Sequence, residues 1–393
     1  MSQNHHNIIM LGGRRAGKST ILSSIIYALS RNTAGNLFTV IDKTEYSSNT
    51  DDTGGVAVRL RDKRNEMTEL LKRRAKIGSN ANFLVDMTPT KGENTYSLEL
   101  AQNGSHQVYF DFIDVPGEYM EDGKNLKLRE RLNKCDVFII AIDTPYMMQD
   151  DEGINDTYNR VEEITSMMSA DEICGDELDR KLIVFCPVKC EKWVRMGQAQ
   201  LVTERVCKTY HALINRWVNH GSHSIEFLVM PIQTVGGMEH VRMLDGYKCY
   251  SSDSDKMGER CSRYELTGQV FFGDGTIKSE DDCPYIEEDK ELLINKRTIP
   301  LSWYKVNGAG FAPENSEQPA YHILRFLVNK HLRLLEAKNR ERRSSIWNRI
   351  KDRLNGSPFE GSIDVYRNIV DELERSGKIK LGFDGFVQVT EIV

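Results

Sequence analysis

The sequence predicts an α/β fold of three layers, a mostly parallel sheet with helices on both faces. Three observations lead there. Short apolar or alternating runs at 7–11, 107–115, 137–142, 182–187 and 225–230 take turns with segments of helical periodicity. A glycine-rich turn, Gly12 to Ser19, joins the first run to the first helix. Polar residues with chemical potential follow the C-terminal ends of the runs, where open parallel sheets bind ligands.

Taken in order, Asn7 to Leu11 has the length of a buried strand, and Ile21, Leu22, Ile25, Ile26 and Leu29 mark a helix over 20–30. The stretch 32–94 is long for a connection. Its part from Ser47 to Gly55 has the composition of a mobile loop. Val56 to Ile77 reads as a charged helix with a thin stripe of Val58, Met67, Leu70 and Leu71. Thr95 to Ala101 and Gln107 to Val115 read as strands, with Asn103-Gly104 as a hairpin turn between them. Val137 to Ile142, Leu182 to Pro187 and Ile225 to Pro231 are apolar enough for strands buried on both faces. Helices are expected between them at 154–170 and 198–219.

Beyond Gly237 the alternation stops. Short β-like runs (Val270 to Phe272, Leu301 to Tyr304) lie among acidic loops such as Glu280-Asp281-Asp282. Pro319 to Lys338 is an apolar-faced helix carrying Tyr321, Leu324, Phe326, Leu327, His331, Leu334 and Leu335, followed by a basic run to Arg353. A break at Gly356-Ser357-Pro358 precedes a helix at 363–373 and a hairpin of 379–381 with 386–389, too small to build a core alone and expected to dock. The expected organisation is a core at 1–237 with the long 32–94 insertion, a β-rich insertion at 238–316, a closing helix and basic linker at 317–355, and a small α+β C-terminal extension at 356–393.

The 393 residues carry a net charge of −6, which argues against a chain that coats nucleic acid. No apolar run reaches the length of a membrane span, and Met1 to His6 has no signal-peptide core, so a cytoplasmic protein is expected. The eight cysteines are dispersed, and Cys135 and Cys186 fall in or beside apolar runs as small buried hydrophobes do. Cys249, Cys261 and Cys283, with His240, lack the paired two-residue gaps of zinc modules.

Gly12-Gly13-Arg14-Arg15-Ala16-Gly17-Lys18-Ser19 fits Gly, four free residues, then Gly-Lys-Ser. Between a strand and a helix, this pattern turns successive backbone N–H groups and a helix N-terminus towards one polyphosphate. Lys18 then reaches the outer phosphates, and the Ser19 hydroxyl binds magnesium. Asp114-Val115-Pro116-Gly117 ends a strand with a carboxylate that can hold the ion through a water, and with a glycine whose N–H can approach the terminal phosphate.

With these motifs in order across Asn7 to Gly237, the chain resembles a P-loop GTPase of the Ras-like kind. It is similar in particular to divergent bacterial members that keep a Lys-x-Asp/Glu base motif and carry insertions. The resemblance implies a P-loop NTPase fold, GTP and GDP as ligands, Mg2+ as cofactor, and a slow GTPase acting as a switch on a protein effector or regulator. It implies phosphate contacts from Gly12 to Thr20, including Arg14, Arg15, Ala16, Gly17, Lys18 and Ser19, and from Asp114 and Gly117. Val188-Lys189-Cys190-Glu191 resembles the base-reading motif, with Lys189 and Glu191 as its members, and Gln233-Thr234-Val235 sits where a second base loop falls.

The departures carry information. Glu191 offers the carboxylate that reads guanine N1–H and N2–H on a longer arm, whereas Val188 lacks the hydrogen bonds of the usual Asn or Thr; Lys189 and Glu191 read otherwise as a solvated charged turn. Glu118 stands where a water-orienting glutamine is common, and it either accepts from the attacking water or repels the terminal phosphate. Arg14 is a candidate donor to the phosphates from within the chain, as is Arg15. Thr88 and Thr90 are alternative magnesium-sensing threonines. The alternatives to a GTPase switch are a non-hydrolysing GTP-binding scaffold for a protein partner and an ATPase. A bacterial regulatory or defence role is compatible with the resemblance.

Overall fold

The computed structural model describes residues 5–13, 16–32, 39–44, 60–77, 83–84, 93–102, 106–120, 125–149, 152–169, 180–219, 225–250, 260–263, 270–272, 277–278, 298–308, 310–344, 367, 371, 374–380 and 382–389. The expectations for Arg14, Arg15, Thr88, Thr90, Cys283, the loop 47–55, the acidic run 280–282 and the basic run beyond Ser344 lie outside these residues, as does most of the helix expected at 363–373.

In chain order the first half comprises β1 (His5–Leu11), α1 (Lys18–Asn32), β2 (Thr39–Asp42), α2 (Leu60–Ile77), β3 (Phe83–Leu84), β4 (Asn94–Gln102), β5 (His106–Asp114), a 3-10 turn Gly117–Met120, α3 (Asn125–Leu132) and β6 (Val137–Asp143). There follow α4 (Thr144–Met147), α5 (Glu152–Asn159), α6 (Val161–Met168), β7 (Lys181–Val188), α7 (Glu191–Arg195), α8 (Ala199–Thr209), α9 (His211–Asn219) and β8 (Ile225–Val229). The remainder is β9 (Met238–Tyr250), β10 (Arg260–Arg263), β11 (Val270–Phe272), β12 (Ile277–Lys278), β13 (Thr298–Val306), α10 (Gln318–Ser344) and β14 (Val387–Val389).

The chain divides into two compact units, Met1–Arg64 with Thr90–Thr234 and Pro313–Val393, and Asn65–Pro89 with Val235–Ala312. The first holds an eight-stranded sheet in the order β14-β8-β7-β6-β1-β5-β4-β2. Its five central strands, β8 to β5, pair in parallel, and β14, β4 and β2 add antiparallel edges. Alternation along the strands sorts the core onto two faces. Ile8 and Met10 join Phe110, Phe112, Tyr96 and Leu98 under α1 and α10, whose Ile21, Leu22, Ile25, Leu324 and Leu327 are buried there. Ile9 and Leu11 join Phe138, Ile140 and Phe185 under Leu132 of α3, Ile164 and Met167 of α6, Val206 of α8 and Trp217 of α9. β6 and β7 are buried along their whole length, as their unbroken apolar runs require. Truncating one such side chain, Phe138→Ala for example, costs about 3–5 kcal/mol. The result is the three-layer, mostly parallel α/β fold that the sequence predicts.

Cys135 and Cys186 are buried as expected, and burial pushes the Cys135 thiol up to about 12. Three expected elements take a different form. The helix at 154–170 is two, α5 and α6, because Arg160 between them takes a left-handed conformation with φ of 56°. The single helix at 198–219 is interrupted at Tyr210, whose ring is wholly buried against Phe185. No strand forms at Ile379 or Lys380. Among the described residues of the expected hairpin only β14 is extended, and it pairs with β8 of the main sheet. Thr203 Oγ1 donates to the Gly385 carbonyl, and Phe383 and Phe386 pack on the α1–α10 core, which fixes this segment in place.

The second unit is built on a six-stranded sheet in the order β12-β11-β10-β9-β13-β3. β9 to β12 form an antiparallel meander, and β13 pairs antiparallel with both β9 and β3. Met67 and Leu71 of α2 pack with Val235, Met238, Tyr304 and Val306. Two members of the α2 stripe read from the sequence are thus core residues, and Leu70 is half-buried beside them.

Candidate nucleotide-binding site

The glycine turn after β1 lies against Ala141 of β6 and Val188 of β7, and Asp114 at the end of β5 meets Ser19 in the first turn of α1. Strand order reverses at β1, with β5 on one side and β6 on the other, and such a switch point opens a crevice at the C-terminal strand ends. Gly12 and Gly17 have φ of 141° and 102°, conformations that favour glycine. A Cβ on Gly12 would lie 2.6 Å from the Ala141 carbonyl oxygen on β6, and one on Gly13 only 1.8 Å from that of Tyr158 on α5. The loop is therefore pressed against backbone on its far side, and only glycine allows that approach. The Ile21 N–H donates to the Gly17 carbonyl at 2.9 Å, which starts the helix. The first turn of α1 contains no acidic side chain, so the N–H groups there face no anion of its own.

Lys18 is 7% exposed, and its Nζ donates to the carbonyls of Gly12 at 2.9 Å and Gly13 at 3.1 Å. The ammonium is thereby fixed over the loop. Ser19, one residue on, donates from Oγ to Asp114 Oδ2 at 2.6 Å. Asp114 ends β5, is fully buried, and leads into the 3-10 turn that holds Gly117 and the backbone of Glu118. Ala16 is buried in the loop and Thr20 is half-buried on α1.

The donor set fits magnesium. A hydroxyl and one carboxylate in contact, beside a cradle for polyphosphate, match an ion that keeps several waters and takes few protein ligands. Among the described residues there is no cluster of three His, Cys, Asp or Glu side chains able to hold a metal alone. Cys249 and Cys261 stand opposite each other in β9 and β10.

The residues expected on the base side lie around the end of β7. Val188 ends β7 fully buried, with Cγ2 3.2 Å from where a Gly17 Cβ would stand, so this apolar side chain backs the phosphate loop. Lys189 has a φ of 58° and donates to the carboxylate of Asp143, the last residue of β6. Burial pushes the Asp143 carboxyl up, and the Lys189 charge opposes that shift. Asn159, wholly buried at the end of α5, accepts from the Asp143 N–H at 2.7 Å and donates to its carbonyl. Glu191, the first residue of α7, is 1% exposed. The solvated charged turn that the sequence allowed is thus not what forms.

The Cys190 thiol donates to the Ile232 carbonyl at 3.4 Å, and the Ile232 N–H donates to the Pro187 carbonyl at 3.0 Å. These bonds bring the Gln233-Thr234 loop to the end of β7. Gln233 and Thr234 are both buried, and Gln233 donates from Nε2 to Glu314 at 2.7 Å. The structure thus brings Gly12, Gly17, Lys18, Ser19 and Asp114 together, and the bonds of Cys190 and Pro187 to Ile232 bring the chain just before Gln233 and Thr234 to the turn that carries Lys189 and Glu191. The side chain of Glu118 lies outside the described residues.

Asp143, Asn159 and Glu314 contact these candidate residues and were not read from the sequence. Asp143 alone had a signal there, an acidic residue closing a buried strand as Asp114 does. Among the described residues no helix is long and apolar enough to cross a membrane.

No family model matches the chain, and no curated protein matches it by sequence. Among solved structures it is similar to the S. cerevisiae Ski7 GTPase-like domain bound to GTP, at 15% identity and a TM-score of 0.33. It is similar also to that domain bound to GDP and inorganic phosphate, at 15% identity and a TM-score of 0.32. Each match covers 59% of this chain and 43% of the other, so the chain spans less than half the length of those structures.

Proposed function

We propose that this chain binds guanosine triphosphate with magnesium, hydrolyses it slowly, and works as a switch whose nucleotide state a protein partner reads. The observation that carries the proposal is the Ser19–Asp114 contact at 2.6 Å beneath a glycine loop whose lysine is held on the loop carbonyls. Lys18 and the N–H groups from Gly13 to Thr20 bind and orient the phosphates. Ser19 and Asp114, with Thr88 or Thr90, would hold magnesium, which supplies charge neutralisation at the outer phosphates. Glu118 accepts a hydrogen bond from the attacking water, and Arg14 or Arg15 donates to the phosphates. Glu191 accepts from guanine N1–H and N2–H, while Lys189, Gln233 and Thr234 complete the base side. The reading extends to a cytoplasmic protein of a bacterial regulatory or defence system, with no role in nucleic-acid binding. The free thiols of Cys135, Cys186, Cys190 and Cys207 suit a reducing compartment.

Calorimetry with Mg·GTP and Mg·ATP, and phosphate release compared with Lys18→Ala, test this. Tight GTP binding with release above the variant supports the switch. Binding without release makes the chain a scaffold, preference for ATP makes it an ATPase, and no heat with either nucleotide overturns the proposal.

A further inference from the structure

Asn94 opens β4 and stands directly opposite Asp114 in the antiparallel β4–β5 pair. Side chains of directly opposed residues share a face of the sheet. Here it is the face that carries α1, because Tyr96 and Leu98 of β4 and Phe110 and Phe112 of β5 pack into the core beneath that helix. Asn94 therefore lies beside the Asp114 carboxylate on the side from which Ser19 reaches it.

Its side chain is 2% exposed, yet among the described residues neither Oδ1 nor Nδ2 has a hydrogen-bond partner. Burying an amide with both ends unsatisfied is costly, and an apolar residue of the same size would fit such a position at less expense. A polar group kept there points to a ligand that completes its hydrogen bonds. Hydrated magnesium suits such an acceptor, because the ion retains several of its waters, and waters on a cation are strong donors seeking acceptors close to its carboxylate ligands.

We propose that Asn94 is an outer-sphere positioning residue for the magnesium–triphosphate, its Oδ1 accepting from a metal-bound water beside Asp114. The inference rests on the proposed function and deepens it. It gives the site a group on β4 that responds to the hydrated ion rather than to the nucleotide alone, through the strand that follows the 32–94 connection.

The test is the affinity of the full chain for GTP, measured with saturating Mg2+ and again in EDTA, for wild type, Asn94→Leu and Asn94→Asp. In wild type Mg2+ strengthens binding. In Asn94→Leu that strengthening falls about tenfold, the affinity in EDTA stays within about twofold of wild type, and the ligand-free melting temperature is equal or higher, since an orphaned amide is gone. Asn94→Asp keeps an acceptor and retains the Mg2+ dependence. A purely structural asparagine predicts another pattern, with Asn94→Leu losing affinity equally in both conditions and Asn94→Asp, a second buried carboxylate beside Asp114, faring worst. That pattern, or an unchanged Mg2+ dependence in Asn94→Leu, overturns the inference and leaves GTP binding intact. If Asn94→Leu does not fold, loss of the Mg2+ effect in Asn94→Asp overturns it instead. Wild-type protein that binds GTP in neither condition overturns the proposed function and this inference together.

Discussion

Lys189, held at a positive φ just past the end of β7, donates to the carboxylate of Asp143 at the end of the neighbouring strand β6. With Asp143 only 3% exposed, this ion pair is largely withdrawn from water. Removing one partner of a buried pair leaves the other charge uncompensated. We expect Lys189→Ala to lose about 3–5 kcal/mol in urea unfolding at pH 7. Without the lysine, burial holds the Asp143 carboxyl above its unfolded value, so the folded state binds more protons than the unfolded one and stability falls as pH rises. The deficit should therefore shrink when the variant is unfolded near pH 5.

Gly13→Ala tests the close approach behind the phosphate loop. Its Cβ would fall 1.8 Å from the Tyr158 carbonyl oxygen, which is backbone and cannot rotate aside. We expect a loss of about 2–3 kcal/mol from overpacking, together with loss of triphosphate binding, read by thermal melting and calorimetry. Gly308→Ala, where an added Cβ meets nothing within 4 Å although φ is 84°, separates simple backbone strain from the clash.

His322 on α10 is a pH reporter for the C-terminal segment. Burial lowers its pKa to about 4, against the opposing effect of its bond to the Lys380 carbonyl, and its ring stacks on Phe386. The unfolded chain takes up this proton first, so stability is full above pH 6.5 and is lost as pH falls towards 4. The maximum loss is about 3 kcal/mol. His322→Gln should flatten denaturation midpoints over that window. Asp136 acts lower. Burial alone would raise its carboxyl, but His6 and Lys330 outweigh that and bring it down to about 2, so its contribution fades only below pH 3.8.

Glu118→Gln addresses the chemistry. A residue that touches only the attacking water should change single-turnover phosphate release by about tenfold or more, in either direction, while GTP affinity moves less than twofold. Equal loss of both would assign Glu118 a structural role.

The fold was legible wherever one segment decided its own fate. The unbroken apolar runs of β6 and β7 admit no other placement, and Gly12 to Ser19 carries its geometry in its glycines. Breaks were not legible, because they depend on partners distant in sequence. Arg160 interrupts a helix-forming stretch next to Asn159, whose side chain bonds the backbone of Asp143, and Tyr210 does so where its ring enters the core against Phe185. For the candidate site, the meeting of Ser19 with Asp114 could be anticipated from motif spacing. Asp143 carried only the sign of an acidic residue closing a buried strand, and Asn94 carried none, since each is placed by a residue on a neighbouring strand, Lys189 and Asp114 respectively.

The antiparallel seam between β14 and β8 has a consequence for biosynthesis. Val387, Gln388 and Val389 cover the outer flank of β8, yet they are translated long after it. Until they emerge, a nascent chain displays unpaired backbone groups along a hydrophobic ribbon, the surface on which another copy can dock strand to strand. Chains halted before these three residues should therefore be the species that chaperones must shield, and a truncation there should precipitate even though every candidate nucleotide-site residue is intact.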